Sequence, residues 1–414
     1  MKENFDVVVV GGGIHGAGVA QASAANGYSV LLLEQNEIAS GTSRKSSKLI
    51  HGGLRYLESG QLALVRECLT ERYYLLKNAP HLVEMKPFYL PVYAQTSRRP
   101  LQIKLGLSLY SLLAGFRKQT GFHQVKNQNW NKLDGLSTSD LEFVFQYWDA
   151  QTDDLLLTKA VLNSAKEMGA ETVEHALVIS AERTGKNHTG ENCVAKNASD
   201  KSKAGEEING EWCISYQTKT EIVEVCAKVI VNAGGPWVNE VLKRIAPDES
   251  PMPVDLVQGT HIVLPEETSQ GIYYVENPDD MRAVFVMPWY GETLIGTTEK
   301  IYTGDPSYVA PTQEEIEYLL ATAGHYFPKF NKMLATDITQ SFAGLRVLPQ
   351  QQGAAFSRPR ETMIHTDKTE SCFSIYGGKL TAYRATSSRV VNQFAHLIPN
   401  RRRVADTRNL RLPE

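Results

Sequence analysis

The sequence predicts an α/β protein in which a parallel-sheet domain is interleaved along the chain with an α+β domain built on an antiparallel sheet. Three observations lead to this prediction. The length of 414 residues exceeds what one simple core needs. Near the start, a continuous run of apolar residues precedes a glycine-rich turn, and such a run is typical of a strand buried on both faces. Several short strand-like runs, separated by turn residues, follow between Val254 and Thr298.

Composition excludes several classes of protein. Lys and Arg total 43 against 46 acidic residues, so the formal charge is −3 and we expect no nucleic-acid partner. The five cysteines lack CxxC or metal-ligand spacing, which predicts neither a metal site nor a disulfide framework. No signal peptide opens the sequence, and no run approaches the ~18 apolar residues of a membrane span. We therefore expect a cytoplasmic location.

The first 34 residues carry the most informative pattern. The apolar run Val7 to Val10 is followed by Gly11, Gly13 and Gly16 in the spacing G-x-G-x-x-G. A helix and a second apolar strand come next, and that strand ends on Glu34. Gly11 would allow the tight turn, Gly13 the approach of a pyrophosphate, and Gly16 close packing of helix and strand. Glu34 would accept hydrogen bonds from ribose hydroxyls, so the pattern predicts a dinucleotide site and disfavours NADP.

Two further stretches favour FAD over NAD. After Glu34 comes "QNEIASGTSRKSSK", whose small hydroxylated residues and glycine can hold a long cofactor closely. Near the other end, "SIYGGKLTAYR" predicts a strand, a Gly-Gly turn and a helix. That helix would direct its N-terminal partial positive charge, together with Lys379, at whatever precedes it, which suits an anionic reduced flavin.

Motifs in a shared order connect these stretches with a known family. The sequence resembles flavin-linked glycerol-3-phosphate dehydrogenases, within the wider glycine/D-amino-acid oxidase-like group, from Asp6 to about Arg384. The resemblance rests on "SSKLIHGGLRYLE", "NAGGPW", "GTHIVLP", "VFVMPW" with "IGTTE", "GLRVLP" and "GGKLTAYR".

The resemblance implies a domain plan. A Rossmann-like FAD-binding domain would be assembled from residues 1–80, 150–250 and 340–400. Residues 81–149 and 251–339 would form the antiparallel-sheet substrate domain, and 401–414 a C-terminal tail. The family members continue into a helical C-terminal domain that we expect to be missing here, which leaves the oligomeric state open.

The resemblance also implies which residues form the site. Arg55 and Tyr56 would face the substrate, as would Lys379. The remaining cofactor contacts would come from Ser46, Ser47, Lys48, His51, Gly234, Gly378, Lys379, Leu380 and Thr381.

Oxidation of a secondary alcohol needs a base for the hydroxyl proton, and neutral histidine suits that role. The resemblance indicates His261 in "GTHIVLP", with His51 as the competing candidate. Arg346 and Arg358 match positions of substrate-binding arginines, whose planar fork binds phosphate through paired donors. Arg346 could also polarise the oxygen on C2.

These features together predict FAD-dependent oxidation of sn-glycerol 3-phosphate to dihydroxyacetone phosphate, with electrons passed to a quinone. One alternative is an oxidase that uses oxygen or acts on another 2-hydroxy or amino acid. Another is a flavin-binding sensor without turnover.

Residues 98–118, "RRPLQIKLGLSLYSLLAGFRK", form a basic amphipathic segment. Apolar residues recur at helical spacing and basic residues flank them, so we expect an in-plane helix on the inner face of the cell membrane. A helix packed on the protein's own core is the alternative. The predicted stripe contains Leu101, Leu105, Leu109, Leu112 and Phe116.

Overall fold

The structure is a computed structural model, and it describes residues 3–115, 120–183, 211–350, 362–368 and 371–414. Seven helices lie in these ranges: α1 Ile14–Ala25, α2 Leu62–Asn78, α3 Pro100–Leu113, α4 Asp154–Glu167, α5 Val238–Ile245, α6 Gln313–Tyr326 and α7 Tyr383–Phe394. The strands of the first half are β1 Asn4–Val10, β2 Val30–Glu34, β3 Leu49–Ile50, β4 Val83–Tyr93, β5 His123–Gln124, β6 Leu141–Thr152, β7 Glu171–Glu174 and β8 Leu177–Arg183. Those of the second half are β9 Trp212–Gln217, β10 Ile222–Asn232, β11 Val254–Leu264, β12 Ile272–Glu276, β13 Ala283–Trp289, β14 Glu292–Gly296, β15 Lys300–Tyr302, β16 Gln340–Pro349, β17 Met363–Thr366 and β18 Cys372–Tyr376.

The first sheet has the parallel core that the sequence predicts. Its order is β17-β18-β10-β1-β2-β7, and the strands from β18 to β7 run parallel. Strands β8 and β9 extend the sheet beside β10 as an antiparallel meander. Because β1, β2 and the C-terminal part of β10 are covered on both faces, nearly all the side chains there are apolar and buried.

The second sheet is mostly antiparallel, in the order β15-β11-β14-β13-β12-β4-β6-β3, with β16 beside β11 and β5 beside β6. Only the pairing of β12 with β4 is parallel among its described contacts. The mixed α/β fold is thus confirmed. Two segments that the predicted plan assigns to the FAD-binding domain pair within this second sheet: residues 340–349 form β16 and residues 49–50 form β3.

Packing on the first sheet explains the composition of α1. This helix lies between α4 and α7, and nearly every residue in it is buried. It is therefore rich in alanine and glycine, which allow neighbouring helices to approach closely. Ala17, Ala20 and Ala24 join a core with Leu157, Val161 and Phe394.

Among the described residues no helix is long and apolar enough to cross a membrane.

Candidate active site

The parallel strands of the first sheet end at one edge, and a cavity begins there. Gly11 follows β1, Glu34 ends β2, Gly234 lies just beyond β10, and Gly378 just beyond β18. All four line the same cavity. Open α/β sheets bind ligands at the carboxyl ends of their strands, so the topology brings these sequence-distant residues to one site.

The glycine loop is shaped by close backbone contacts. Gly11 has a φ of +110°, and a Cβ there would lie 2.5 Å from the carbonyl oxygen of Ala233. Gly16 packs so closely on the Gly11 carbonyl that a Cβ would overlap it. Gly13 lines the cavity instead, next to the N-terminus of α1. The structure therefore separates two packing glycines from one that leaves room for a ligand.

Glu34 anchors the glycine loop as well as facing the cavity. Its carboxylate accepts hydrogen bonds from the backbone N–H of Gly12 at 2.6 Å and of Asn36 at 2.8 Å. Burial raises the pKa of Glu34, while these two donors act in the opposite direction. Each carboxylate oxygen retains a further lone pair, so a ribose hydroxyl could still donate to it.

Lys48 differs from the prediction that it contacts the cofactor. Its side chain is buried and does not line the cavity. The ammonium lies 2.6 Å from the carboxylate of Asp154 and also donates to the carbonyl of Arg44. Ser46 donates to the same carboxylate at 2.7 Å. A buried carboxylate requires such partners, so Lys48 fixes the chain behind the cavity wall.

His261 lies on β11 of the second sheet. Its Nε2 is 2.9 Å from the hydroxyl of Ser47, and its ring stacks on Phe342 with centroids 5.0 Å apart. Burial, together with the positive charges of Lys48 and Arg346, lowers the pKa of His261 to about 3. The imidazole is therefore neutral, and it lines the cavity.

Arg346 enters the cavity from β16 in a fixed orientation. Its Nη1 lies 2.6 Å from Oε1 of Glu299, and its Nη2 donates to the carbonyl of Thr298 at 3.1 Å. A side chain at Gly259 would overlap the guanidinium, so glycine makes room for it. The ion pair compensates the charge of Arg346, which makes this residue an oriented donor rather than an isolated cation.

Arg55, Tyr56 and Lys379 lie together on another part of the cavity wall. The first two belong to a short 3-10 helix, Leu54–Leu57. The ammonium of Lys379 lies 3.6 Å from the centre of the Tyr56 ring, within cation–π distance. The helix after the Gly-Gly turn begins only at Tyr383, so Lys379 lies in the turn before α7 rather than in its first turn.

The remaining predicted contacts also lie on the cavity wall, namely Ser46, Ser47, His51, Leu380 and Thr381. The hydroxyl of Thr381 accepts a hydrogen bond from the backbone N–H of His51 at 3.2 Å, which ties two distant segments together. Arg358 lies outside the described residues.

Sequence reasoning missed several residues of the cavity. His15 lies within the glycine motif, and a side chain at Gly378, whose φ is +107°, would overlap its imidazole. Burial lowers the pKa of His15 to about 4, so this residue too is neutral. Arg282 reaches the cavity from the start of β13, paired with Asp280 at 2.6 Å. Its position two residues before the "VFVMPW" motif was the available signal.

The fold and this cavity define a dinucleotide-dependent α/β oxidoreductase. Residues 6–384 match the family described as FAD dependent oxidoreductase, DAO, and the chain belongs to this family.

Three known proteins illustrate the relationship. The glycerol-3-phosphate dehydrogenase of Pseudomonas aeruginosa is 35% identical over 409 residues, covering 96% of this chain and 74% of the relative. The D-erythritol 1-phosphate dehydrogenase of Brucella abortus is 34% identical over 406 residues, covering 96% and 75%. The glycerol-3-phosphate dehydrogenase of Bacillus halodurans, solved in complex with FAD, superposes with a TM-score of 0.72 at 25% identity, covering 99% of this chain and 68% of that one.

The cofactor of this protein is therefore FAD, and the residues present fit it. Gly13, Gly234 and Gly378 keep side chains out of the cavity, and α1 directs its N-terminus towards it. The cavity also extends from Glu34 at the edge of the first sheet to His261 in the second sheet, as a two-part cofactor requires.

Proposed function

We propose that this protein oxidises sn-glycerol 3-phosphate to dihydroxyacetone phosphate and passes the electrons to a quinone at the inner face of the cell membrane. The observation that carries the proposal is the joint presence of Arg55 and Lys379 around a cavity that also contains Arg346 and the neutral His261. Cationic donors favour a substrate with a phosphate group, and a neutral imidazole favours one with a hydroxyl group.

Each group has a distinct role in the proposal. Arg55 and Lys379 bind the phosphate, and Arg346 donates to the oxygen on C2, which gains negative charge as its proton leaves. His261 receives that proton, with His51 as the alternative acceptor. When bound, FAD supplies the acceptor for the hydride released from C2.

A second substrate, D-erythritol 1-phosphate, is favoured by one comparison. The relative named for it is 34% identical, almost the same as the glycerol-3-phosphate dehydrogenases. The two substrates share a phosphate and a secondary alcohol, so the cationic groups above suit both.

Docking of α3 on an anionic membrane completes the proposal. Leu101, Leu105 and Leu112 are 68%, 63% and 55% exposed, whereas Ile103 and Leu107 on the opposite face pack into the core. One face therefore anchors the helix to the protein, and the leucine face is open to solvent. Large exposed apolar side chains on one helix face are typical of interfacial helices.

Two residues of the predicted membrane-facing segment 98–118 are less exposed than predicted, and three others lie outside the described residues. Arg98 is engaged by Glu58 and Glu276, so Arg99 and Lys104 remain as exposed cations near the leucines. Leu109 is half-buried, so it is less exposed than the predicted stripe requires. Of the predicted segment, Phe116, Arg117 and Lys118 lie outside the described residues.

Turnover of the purified flavoprotein with an artificial dye acceptor tests the activity. We expect oxidation of glycerol 3-phosphate and no comparable turnover of glycerol, glycine or lactate. Preference for D-erythritol 1-phosphate would replace the substrate but keep the phosphate role. Equal turnover of glycerol would contradict that role. Hydrogen peroxide formation that matches substrate oxidation, without stimulation by a quinone analogue, would indicate an oxidase.

A further inference from the structure

A buried polar cluster lies directly behind the segment that carries Arg55 and Tyr56. It joins Tyr110 of α3, Asp149 of β6 and Arg72 of α2, and each of these residues is at most 3% exposed. None of the three was selected by sequence reasoning. Buried polar side chains destabilise a protein unless they are hydrogen-bonded. The hydrogen-bond partners of these three residues therefore indicate which part of the chain they hold in place.

The contacts form a chain that ends on the backbone of Gly52. The N–H of Gly52 donates to the hydroxyl oxygen of Tyr110 at 2.7 Å. That hydroxyl donates in turn to the carboxylate of Asp149 at 2.6 Å. Arg72 forms an ion pair with the same carboxylate and donates to the carbonyl of Trp148 at 3.0 Å. The direction of the Tyr110 hydroxyl is thereby fixed, with its lone pair aimed at Gly52.

The contact leaves little freedom at Gly52. A Cβ there would lie 2.5 Å from the Tyr110 hydroxyl and 2.7 Å from Leu69. The preceding residue, His51, is held from the other side by Thr381. Gly53 follows with a φ of +78°, and the 3-10 helix with Arg55 and Tyr56 starts immediately after it. The hydrogen-bonded N–H groups of His51 and Gly52 thus fix the position and direction of the 3-10 helix that follows.

We propose that Tyr110 is a positioning residue for the oxidation: by holding the Gly52 peptide, it sets where Arg55 and Tyr56 enter the cavity. The inference rests on the proposed function for its catalytic part. Its structural part, control of the Gly52 peptide, stands independently. The hydrogen bond also links α3, whose outer leucines are exposed, with the cavity wall through the opposite face of the same helix.

Replacement of Tyr110 by phenylalanine tests the inference, since it removes the hydroxyl and keeps the ring against Tyr147. The matched control is Tyr93→Phe. Tyr93 is also buried, at 4% exposure, and its hydroxyl donates at 2.7 Å to the carbonyl of Ser137. It belongs to a different hydrophobic cluster from that of Tyr110. Both variants lose one buried hydroxyl, so a general effect on stability appears in both.

Three measurements on the FAD-loaded proteins separate the outcomes. Hydrogen exchange of the peptide containing Gly52 should accelerate at least about tenfold in Tyr110→Phe, as expected when an N–H loses its acceptor, and remain unchanged in Tyr93→Phe. FAD content should stay at the wild-type level in both. The KM for glycerol 3-phosphate should rise about five- to tenfold only in Tyr110→Phe, with a smaller change in kcat, because substrate-binding groups are displaced.

Equal exchange and equal kinetics in the two variants would overturn the positioning role. A wild-type protein that fails to oxidise glycerol 3-phosphate would refute the proposed function, and the exchange of Gly52 would still decide whether Tyr110 holds this peptide. Accelerated exchange with wild-type KM and kcat would also overturn the inference, since the segment would then move without affecting the substrate groups.

Discussion

The hydroxyl of Ser47 lies 2.9 Å from Nε2 of His261, and the Nδ1 of the same imidazole has no hydrogen-bond partner among the described residues. The direction of the Ser47 bond decides what the other nitrogen can do. If Nε2–H donates to Ser47, Nδ1 can accept a proton. If Ser47 donates to Nε2, Nδ1 carries the proton and can only donate. A base at position 261 therefore requires the first tautomer.

Replacing His261 by glutamine tests this role. We expect the rate of flavin reduction to fall by about 10²- to 10⁴-fold if His261 is the general base. The matched variant is His51→Gln, which alters the competing candidate in the same cavity. Stopped-flow absorbance with glycerol 3-phosphate measures both rates. A larger loss in His51→Gln than in His261→Gln would transfer the role to His51.

The acid limb of the pH profile provides an independent check. Because the pKa of His261 is lowered to about 3, this residue stays neutral from neutral pH down to about pH 5, and the rate of flavin reduction should not fall through its protonation in that range. An acid limb with an apparent pKa near 6.5, the ordinary value of histidine, would identify a different proton acceptor.

The same depressed pKa predicts a pH dependence of stability. Between the unfolded value of 6.5 and the folded value of about 3, the unfolded chain binds a proton that buried His261 does not. The free energy of unfolding should therefore decrease as the pH falls through this window, by up to about 1.4 kcal/mol per pH unit. In urea titrations, His261→Gln should give a shallower decrease. Parallel curves for the two proteins would contradict the prediction.

Arg346→Lys should impair catalysis even though the charge is kept. Lysine cannot bond both Glu299 and the Thr298 carbonyl in a planar fork, so the donor that faces the substrate loses its orientation. We expect kcat/KM to fall about 10- to 100-fold, the range for a lost charged hydrogen bond. Arg408→Lys at the exposed tail is the control. Wild-type kinetics in Arg346→Lys would argue against any contact with the reacting oxygen.

Gly13→Val should abolish retention of FAD. A Cβ at position 13 would already lie 3.0 Å from the Ser43 hydroxyl, and the remaining bulk of valine would fill the cavity beside α1. The control is Gly121→Val, since a Cβ at Gly121 meets nothing within 4 Å. Flavin absorbance of the purified proteins, with FAD released by denaturation, measures retention. Equal FAD content in both variants would contradict the assignment of Gly13.

Docking of α3 should depend on its exposed leucines. We expect wild-type protein to sediment with anionic liposomes and Leu101→Glu/Leu105→Glu to stay in the supernatant. Ile222→Glu is the control, because Ile222 is 64% exposed on a different element. Sedimentation of all three proteins alike, or of none at low salt, would remove the case for docking.

Local spacing made the cofactor half of the site predictable. The glycine motif and Glu34 lie within one strand-loop-helix-strand unit, so their arrangement follows from short-range geometry. The leucine stripe of α3 follows from helical periodicity in the same way.

Partners far along the chain explain what the sequence did not reveal. The family resemblance implied that Lys48 lies beside the cofactor, but in the structure its ammonium pairs with Asp154. Tyr110 gave no signal, since its contact with Gly52 depends on the packing of α3 on the core. The pairing of β16 with β11 was not predicted, because local sequence pattern does not encode so long-range a contact.

The parallel pairing of β1 with β10 has a consequence for biosynthesis. Asn4 is a neighbour of Cys226, and Ile230 of Cys372, so the sheet edge that surrounds FAD is assembled from the beginning, middle and end of the chain. On the ribosome, β1 and β2 emerge long before the strands that complete their sheet, and such distant pairings form slowly. The cavity is complete only after Gly378 has emerged, so we expect cofactor capture to follow the synthesis of all the strands that end at this cavity. Until then the apolar side chains of β1 and β2 lack the partner strand β10 that covers one edge of their sheet.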